Sequence, residues 1–80
     1  MCTVLDLHND SKDLAKTKIQ RFVMEMLKND IYFFEIVHGY NRGTTLKDFL
    51  KNKRNLNCNY ISKMYPDPLN EGRTMVWLKY

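Results

Sequence analysis

The sequence lacks the features that define several classes of protein. Its two cysteines, Cys2 and Cys58, form no CxxC motif, so we expect neither a zinc site nor a disulfide, and both thiols are predicted to be free. No apolar run approaches the roughly 20 residues that span a bilayer, so no membrane association is expected. Residues 1–6 have neither a basic region nor an apolar stretch, so no secretion signal is expected and the predicted location is the cytoplasm.

Internal repeats, low-complexity tracts and linkers are also missing from the sequence. What the chain does contain is enough apolar material to fold, since 44% of its residues are hydrophobic and 12% are aromatic. A length of 80 residues suits one domain with a modest core. Residues 1–80 are therefore predicted to form a single domain.

The positive charge is concentrated in one segment. The net charge is +4, and residues 42–54 hold five basic side chains against one acid, Asp48, so this segment accounts for the whole excess. A confined basic patch on an otherwise neutral domain indicates an anionic partner. A solvated helix face gives the same pattern, and charge alone leaves both interpretations open.

Two helices are predicted from the spacing of apolar side chains. The first buries one face between Ala15 and Leu27 and begins at a cap residue, either Asp10 or Ser11. The second begins near residues 44–45, where a Thr-x-x-Asp pattern resembles a capping box. It is expected to end in the polar segment that follows.

Four strands complete the predicted order, β-α-β-α-β-β. Apolar and β-branched runs place them at residues 3–7, 31–37, 60–65 and 74–80, with turn residues at 66–68 and 70–72. The first two strands are joined through a helix, so they are expected to be parallel, while the last two form a hairpin. The predicted fold class is α/β, an α+β two-layer sandwich with a four-stranded mixed sheet and two helices.

Aromatic residues cluster in the second predicted strand, at positions 32–34. Because this strand is almost wholly apolar, we expect both of its faces to be covered and the aromatic side chains to pack in the core rather than stack on bases. Trp77 belongs either to the core or to a partly exposed platform on an edge strand, and its position in the sequence does not separate the two.

Polar residues follow the first two strands where each strand ends. Asp6 and His8 are two residues apart, so in extended chain they face the same way. His38 follows the second strand. Since the carboxyl ends of parallel strands lie on one rim of a sheet, where ligands bind in open α/β folds, the three side chains are expected to converge there.

A glycine-containing loop, residues 39–43, leads from this rim into the second helix. Glycine lets the backbone approach a ligand, and the free N–H groups at a helix N-terminus favour an anion. A phosphate bound there would lie beside the histidines and near Arg42. The loop therefore predicts a phosphate site next to the rim.

These residues also carry a resemblance to a known family. Residues 5–8, LDLH, resemble the first signature of Smr (small MutS-related) domains, and residues 38–43, HGYNRG, resemble the second, HGxGxG. Residues 43–47 and 71–78 are similar to the family's second helix and closing strand, so the resemblance covers the whole chain. Asparagine stands at Asn9 and Asn41, where the family has glycine.

The resemblance implies a fold similar to the C-terminal domain of translation initiation factor three. It also implies nicking or endonuclease activity on DNA or RNA, in repair, recombination or ribosome rescue. The partners implied are nucleic acid and a ribosome or repair protein. Carried over onto this sequence, the family's active site corresponds to Asp6, His8, His38 and Gly39. The residues expected to hold the nucleic-acid backbone are Gly39, Asn41, Arg42, Gly43, Thr44, Lys47 and Lys51.

The hypothetical mechanism is acid–base cleavage of a phosphodiester. His8, oriented by Asp6, removes a proton from the nucleophile, and His38 takes the complementary role. On RNA the 2′-OH attacks and no metal is needed. On DNA water attacks, and Asp6 with the two histidines would supply ligands for Mg²⁺ or Mn²⁺.

Two other classes of function fit the same residues. One is a nucleic-acid or ribosome binding module without catalysis, which would bind with a steep salt dependence and give no product. The other is a protein-interaction adaptor, whose binding would be insensitive to Arg42→Ala and Lys47→Ala.

Overall fold

The computed structural model describes residues 2–8, 10–39 and 45–80. Its elements are β1 (Val4–Asp6), α1 (Lys12–Lys28), β2 (Phe33–Val37), α2 (Thr45–Phe49), a 3-10 helix (Lys53–Leu56), β3 (Ile61–Asp67) and β4 (Asn70–Leu78). The predicted order β-α-β-α-β-β is confirmed, with the 3-10 helix inserted before β3.

The four strands form one mixed sheet in the order β1-β2-β4-β3. β1 and β2 are parallel, as the helical connection between them predicts, and β4 is antiparallel to both β2 and β3. Strands β3 and β4 form the predicted hairpin at one side of the sheet. The carboxyl ends of β1 and β2 therefore lie at the same rim.

Helix α1 forms where the apolar spacing predicts it. Its N-terminus is capped by Ser11, whose hydroxyl accepts a hydrogen bond from the N–H of Leu14 at 3.2 Å. The alternative cap, Asp10, instead pairs with Lys18 at 2.9 Å. The buried stripe of the helix consists of Ala15, Ile19, Val23, Met26 and Leu27.

Within the described residues, the buried core lies on the face of the sheet that the helices cover. Strand residues alternate between the faces, and the helices pack on the face that carries Leu7, Phe34, Ile36 and Val76, all fully buried. The prediction that both faces of β2 are covered holds fully for one face only. Its other face, which includes Phe33, is half-buried because side chains of the neighbouring strand β4 cover it in part.

The hairpin turn is shorter than the sequence predicts. Asp67 pairs with Asn70, so the turn residues predicted at 70–72 begin β4 instead. The carboxylate of Asp67 accepts a hydrogen bond from the N–H of Leu69 at 2.8 Å, which closes the loop early. The carbonyl of Gly72 is bound to the end of β2, which keeps this glycine in the sheet.

The second helix is also short, with five residues, Thr45–Phe49. The chain then turns into the 3-10 helix, which the side chain of Asn52 caps by accepting from the N–H of Arg54 at 3.0 Å. Leu56 anchors this segment in the core, where it is fully buried. The polar segment that was expected only to end the helix thus contains an element of its own.

Candidate active site

Asp6 and His8 form a hydrogen-bonded pair at the end of β1. Asp6 alternates with the buried Leu7, so its carboxylate points to the face of the sheet opposite the helices. The Nδ1 atom of His8 lies 2.5 Å from Oδ1 of Asp6, and the backbone N–H of His8 donates to the same oxygen at 3.1 Å. Both side chains are more than half exposed to solvent, so a large substrate can reach the pair.

The contact also affects the ionisation of Asp6 and determines which nitrogen of the His8 ring carries the hydrogen. The hydrogen bond from the His8 side chain, followed by that from its backbone N–H, lowers the pKa of Asp6 below the ordinary value of 3.8, although desolvation opposes this in part. An ionised carboxylate only accepts, so Nδ1 of His8 carries the hydrogen. In the neutral ring Nε2 then keeps its lone pair, and within the described residues it has no hydrogen-bond partner.

His38 occupies a different environment. Its side chain is buried on the helix-covered face, with 6% of the residue exposed. Nδ1 lies 2.9 Å from the carbonyl oxygen of Gly39, which can only accept, so Nδ1 donates. In the neutral ring Nε2 then accepts from the hydroxyl of Thr74, also at 2.9 Å. The structure therefore brings Asp6 and His8 together but does not add the ring of His38 to them.

The strand ends themselves meet as predicted. The N–H of Leu7 donates to the carbonyl of Val37 at 2.7 Å, and the N–H groups of His38 and Gly39 both donate to the carbonyl of Gly72, at 2.9 and 3.1 Å. Gly39 has a φ of 72°, a left-handed conformation that favours glycine. A Cβ atom built on it would lie 3.9 Å from Cβ of His8, so the two strand ends are in contact.

Sequence reasoning missed the contributions of Gly72 and Thr74 to this rim. The carbonyl of Gly72 accepts hydrogen bonds from the N–H groups that follow β2, and the hydroxyl of Thr74 donates to the buried ring of His38. The available signal was a hydroxyl residue directly before the apolar run at residues 75–78, since a buried hydroxyl needs a partner.

The predicted phosphate-binding residues are described only in part. Lys47 is half-buried on α2, and Lys51 is exposed and pairs with Asp48 at 3.3 Å. Because an exposed pair of this kind contributes little, Lys51 can exchange its partner for a phosphate. Several predicted positions lie outside the described residues: Asn9, Asn41, Arg42, Gly43 and Thr44.

The predicted metal ligands do not form a cluster. Among residues 2–8, 10–39 and 45–80, no three His, Cys, Asp or Glu side chains are placed to share one ion. The physical reason is that His38 faces the helices while Asp6 and His8 face the opposite side. The three residues named for Mg²⁺ or Mn²⁺ therefore do not fit a common site.

Fold and site together define a small two-layer α+β domain with a carboxylate–histidine pair at the carboxyl ends of two parallel strands. The family model for the Smr domain matches residues 5–79, and the chain belongs to the Smr domain family. Smr domains are nucleic-acid-binding, nuclease-related domains.

A solved structure has the same fold. The Smr domain of MutS2 from Thermus thermophilus matches with a TM-score of 0.76 at 15% identity, over 98% of this chain and 99% of that one. No curated protein sequence matches the chain. The helices that the structure describes include none with the length and apolar character to cross a membrane.

Proposed function

We propose that this Smr domain binds nucleic acid and cleaves its phosphodiester bonds, with the Asp6–His8 pair as the general base. The observation that carries the proposal is the 2.5 Å contact between Nδ1 of His8 and the Asp6 carboxylate, in a pair that faces solvent. A carboxylate that holds Nδ1 in this way directs the basic Nε2 atom outward and stabilises the imidazolium that forms when Nε2 takes a proton.

In the proposed reaction Nε2 of His8 removes the proton from the attacking oxygen. On RNA this is the 2′-OH, which forms the new bond to phosphorus as the bond to the 5′-oxygen breaks, and the leaving oxygen takes a proton from solvent. On DNA a water molecule attacks in the same way. The proposal assigns Lys47, Lys51 and Arg42 to the phosphate backbone, where their charge offsets the negative charge that develops on phosphorus.

His38 takes a positioning role in this scheme rather than the complementary acid role. Its ring joins the carbonyl of Gly39 to the hydroxyl of Thr74 and so holds the end of β2 against β4. A Cβ atom built on Gly39 would be in van der Waals contact with Cβ of His8, so the position of Gly39 bears on that of His8. His38 therefore supports the geometry of the base without contact with the substrate.

The test is a cleavage assay on labelled single- and double-stranded RNA and DNA, in EDTA and with added Mg²⁺ or Mn²⁺. We expect product from the wild type and a rate reduced about 100-fold or more in His8→Ala, the usual contribution of a general base. Asn59→Ala, an exposed substitution at the opposite end of the sheet, serves as the matched control and should cleave like the wild type. Equal rates in His8→Ala and the wild type would overturn the proposed mechanism.

A second candidate is a nucleic-acid or ribosome binding module without catalysis. The burial of His38 favours it, because the described rim then exposes one histidine instead of the two that acid–base cleavage commonly uses. This module would bind nucleic acid with an affinity that falls steeply as salt rises, and would release no product in any arm of the assay. Repair, recombination and ribosome rescue are the proposed settings for either function.

A further inference from the structure

The face of the sheet that the helices leave uncovered carries a group of aromatic and basic side chains. We call it the open sheet face and define it by Phe33 on β2, Trp77 and Arg73 on β4, and Lys63 and Tyr65 on β3. Trp77 and Tyr65 are more than one-third exposed, and Phe33 is half-buried. The strand register places Phe33 opposite Trp77 and Trp77 opposite Lys63. Three adjacent strands therefore contribute to one continuous surface.

Contacts between these side chains hold the indole ring in place. The rings of Phe33 and Trp77 have their centroids 4.6 Å apart, and the Nε1–H of Trp77 donates to the hydroxyl of Tyr65 at 2.9 Å. The ammonium of Lys63 lies 5.4 Å from the centroid of the Trp77 ring. An aromatic side chain fixed in this way and still exposed can receive a flat ligand with little further loss of rotamer entropy.

The charges on this face suit a ligand that is both flat and anionic. The carboxylate of Glu35 is paired with Arg73 at 3.0 Å, which offsets its charge. Lys63 has no ion-pair partner among the described residues. A cation beside an aromatic ring is the combination by which proteins bind a base and its phosphate together.

We propose that the open sheet face is a stacking platform for the unpaired bases of single-stranded nucleic acid, with Trp77 as its central ring. The inference rests on the proposed function in taking nucleic acid as the ligand, but it does not require cleavage. The bases of a duplex are stacked on one another and present no free face, so the platform selects single strands, loops or ends.

The platform is continuous with the candidate active site. Asp6 pairs with Val37, which pairs in turn with Arg73, so Asp6 and Arg73 lie in one row on the same face, about 10 Å apart across two strand spacings. Trp77 lies four residues further along β4, about 13 Å from Arg73. A strand bound with a base on Trp77 can run past Arg73 toward His8 on the same side of the sheet.

Trp77 is the only tryptophan in the chain, so its fluorescence reports directly on the platform. The wild type is titrated with single-stranded RNA and DNA of about 12 nucleotides, a length within the range of known single-strand sites, and with the matching duplexes. We expect the single strands to quench the Trp77 emission with a saturable curve and the duplexes to quench it much less. Binding of a single strand, seen by anisotropy of the labelled oligonucleotide, with no change in Trp77 emission would overturn the platform.

Variants locate the contact independently of fluorescence. By anisotropy, Trp77→Leu should bind the single strand about tenfold more weakly, and Lys63→Gln more weakly by a smaller factor. Tyr60→Leu is the matched control, because Tyr60 has the same exposure as Trp77 but lies beside Gln20 and Met24 on the helix side. Lys63 is exposed, so its variant remains informative even if Trp77→Leu is unstable.

The outcomes separate the platform from the proposed cleavage. Quenching by single strands with no cleavage product supports the platform and contradicts the nuclease. Cleavage by the wild type, with Trp77→Leu and Lys63→Gln binding like Tyr60→Leu, overturns the platform alone. Self-association in sedimentation that Trp77→Leu abolishes, without any quenching by oligonucleotides, would show that the open sheet face is a contact between copies of the chain, and would also overturn the proposal.

Discussion

At the scale of single residues, the two histidines of this chain differ in what their ring nitrogens can do. Nδ1 of His8 is hydrogen-bonded to Asp6, and the ring is otherwise largely exposed to solvent. His38 uses one nitrogen to hold Gly39 and the other to hold Thr74. His8 lies two positions after β1, and His38 lies directly after β2. Because side chains alternate between the faces of a strand, the two rings lie on opposite faces of the sheet and make different contacts.

The pKa of Asp6 reports on this pair. Because the folded-state pKa lies below the ordinary value of 3.8, the ionised carboxylate stabilises the fold above that value, and the contribution is lost as the pH falls through the folded pKa. We predict that His8→Ala raises the pKa of Asp6 toward 3.8, as measured by carboxyl ¹³C NMR. Lys18→Gln removes only the weaker Coulombic effect of the Lys18 ammonium, so it should raise the pKa of Asp6 less. An Asp6 pKa that does not respond to His8→Ala would contradict the hydrogen bond.

At the scale of the elements, sequence patterns predicted most of the fold. The spacing from Ala15 to Leu27 predicted α1 because a helix buries every third or fourth side chain, and Ser11 was one of two residues able to cap it. The crossover predicted that β1 and β2 are parallel. These features are local, or follow from one chirality rule, and therefore can be inferred from the chain itself.

The parts that could not be predicted depend on contacts between distant segments. The composition of an apolar strand such as β2 does not show what covers each of its faces. The sequence therefore could not reveal that side chains of β4 cover one face in part. The same holds for the rim of the candidate site. The topology predicts that the two strand ends meet, but the partner of the buried His38 ring is Thr74, which is 36 residues away in the sequence.

The bond between His38 and Thr74 joins β2 to β4 and should contribute to stability. Thr74→Val keeps the shape of the side chain but leaves Nε2 of the buried ring without a donor, so we predict a loss of about 1–3 kcal/mol in the free energy of unfolding, measured by urea denaturation. Thr17→Val on the exposed side of α1 is the matched control and should change it by less than about 0.5 kcal/mol. Equal effects of the two substitutions would show that the ring of His38 does not depend on Thr74.

At the scale of the whole molecule, the two faces of the sheet carry different sets of side chains. One face carries the helices and the core, with His38 at its edge. The other face carries Asp6 and His8 at one end and the rings of Phe33 and Trp77 at the other. Within the described residues the buried core lies on the first face, and the second face is the one that we propose binds nucleic acid.

The exposed Asp6–His8 pair is proposed as the base in phosphodiester cleavage, and rescue of a His8→Ala variant by imidazole measures that role. Single-stranded RNA is incubated with the wild type and with His8→Ala, each with and without added imidazole. We predict that His8→Ala loses about 100-fold or more in rate and that imidazole restores part of the loss while leaving the wild type unchanged. A His8→Ala variant that cleaves at the wild-type rate without imidazole would contradict it.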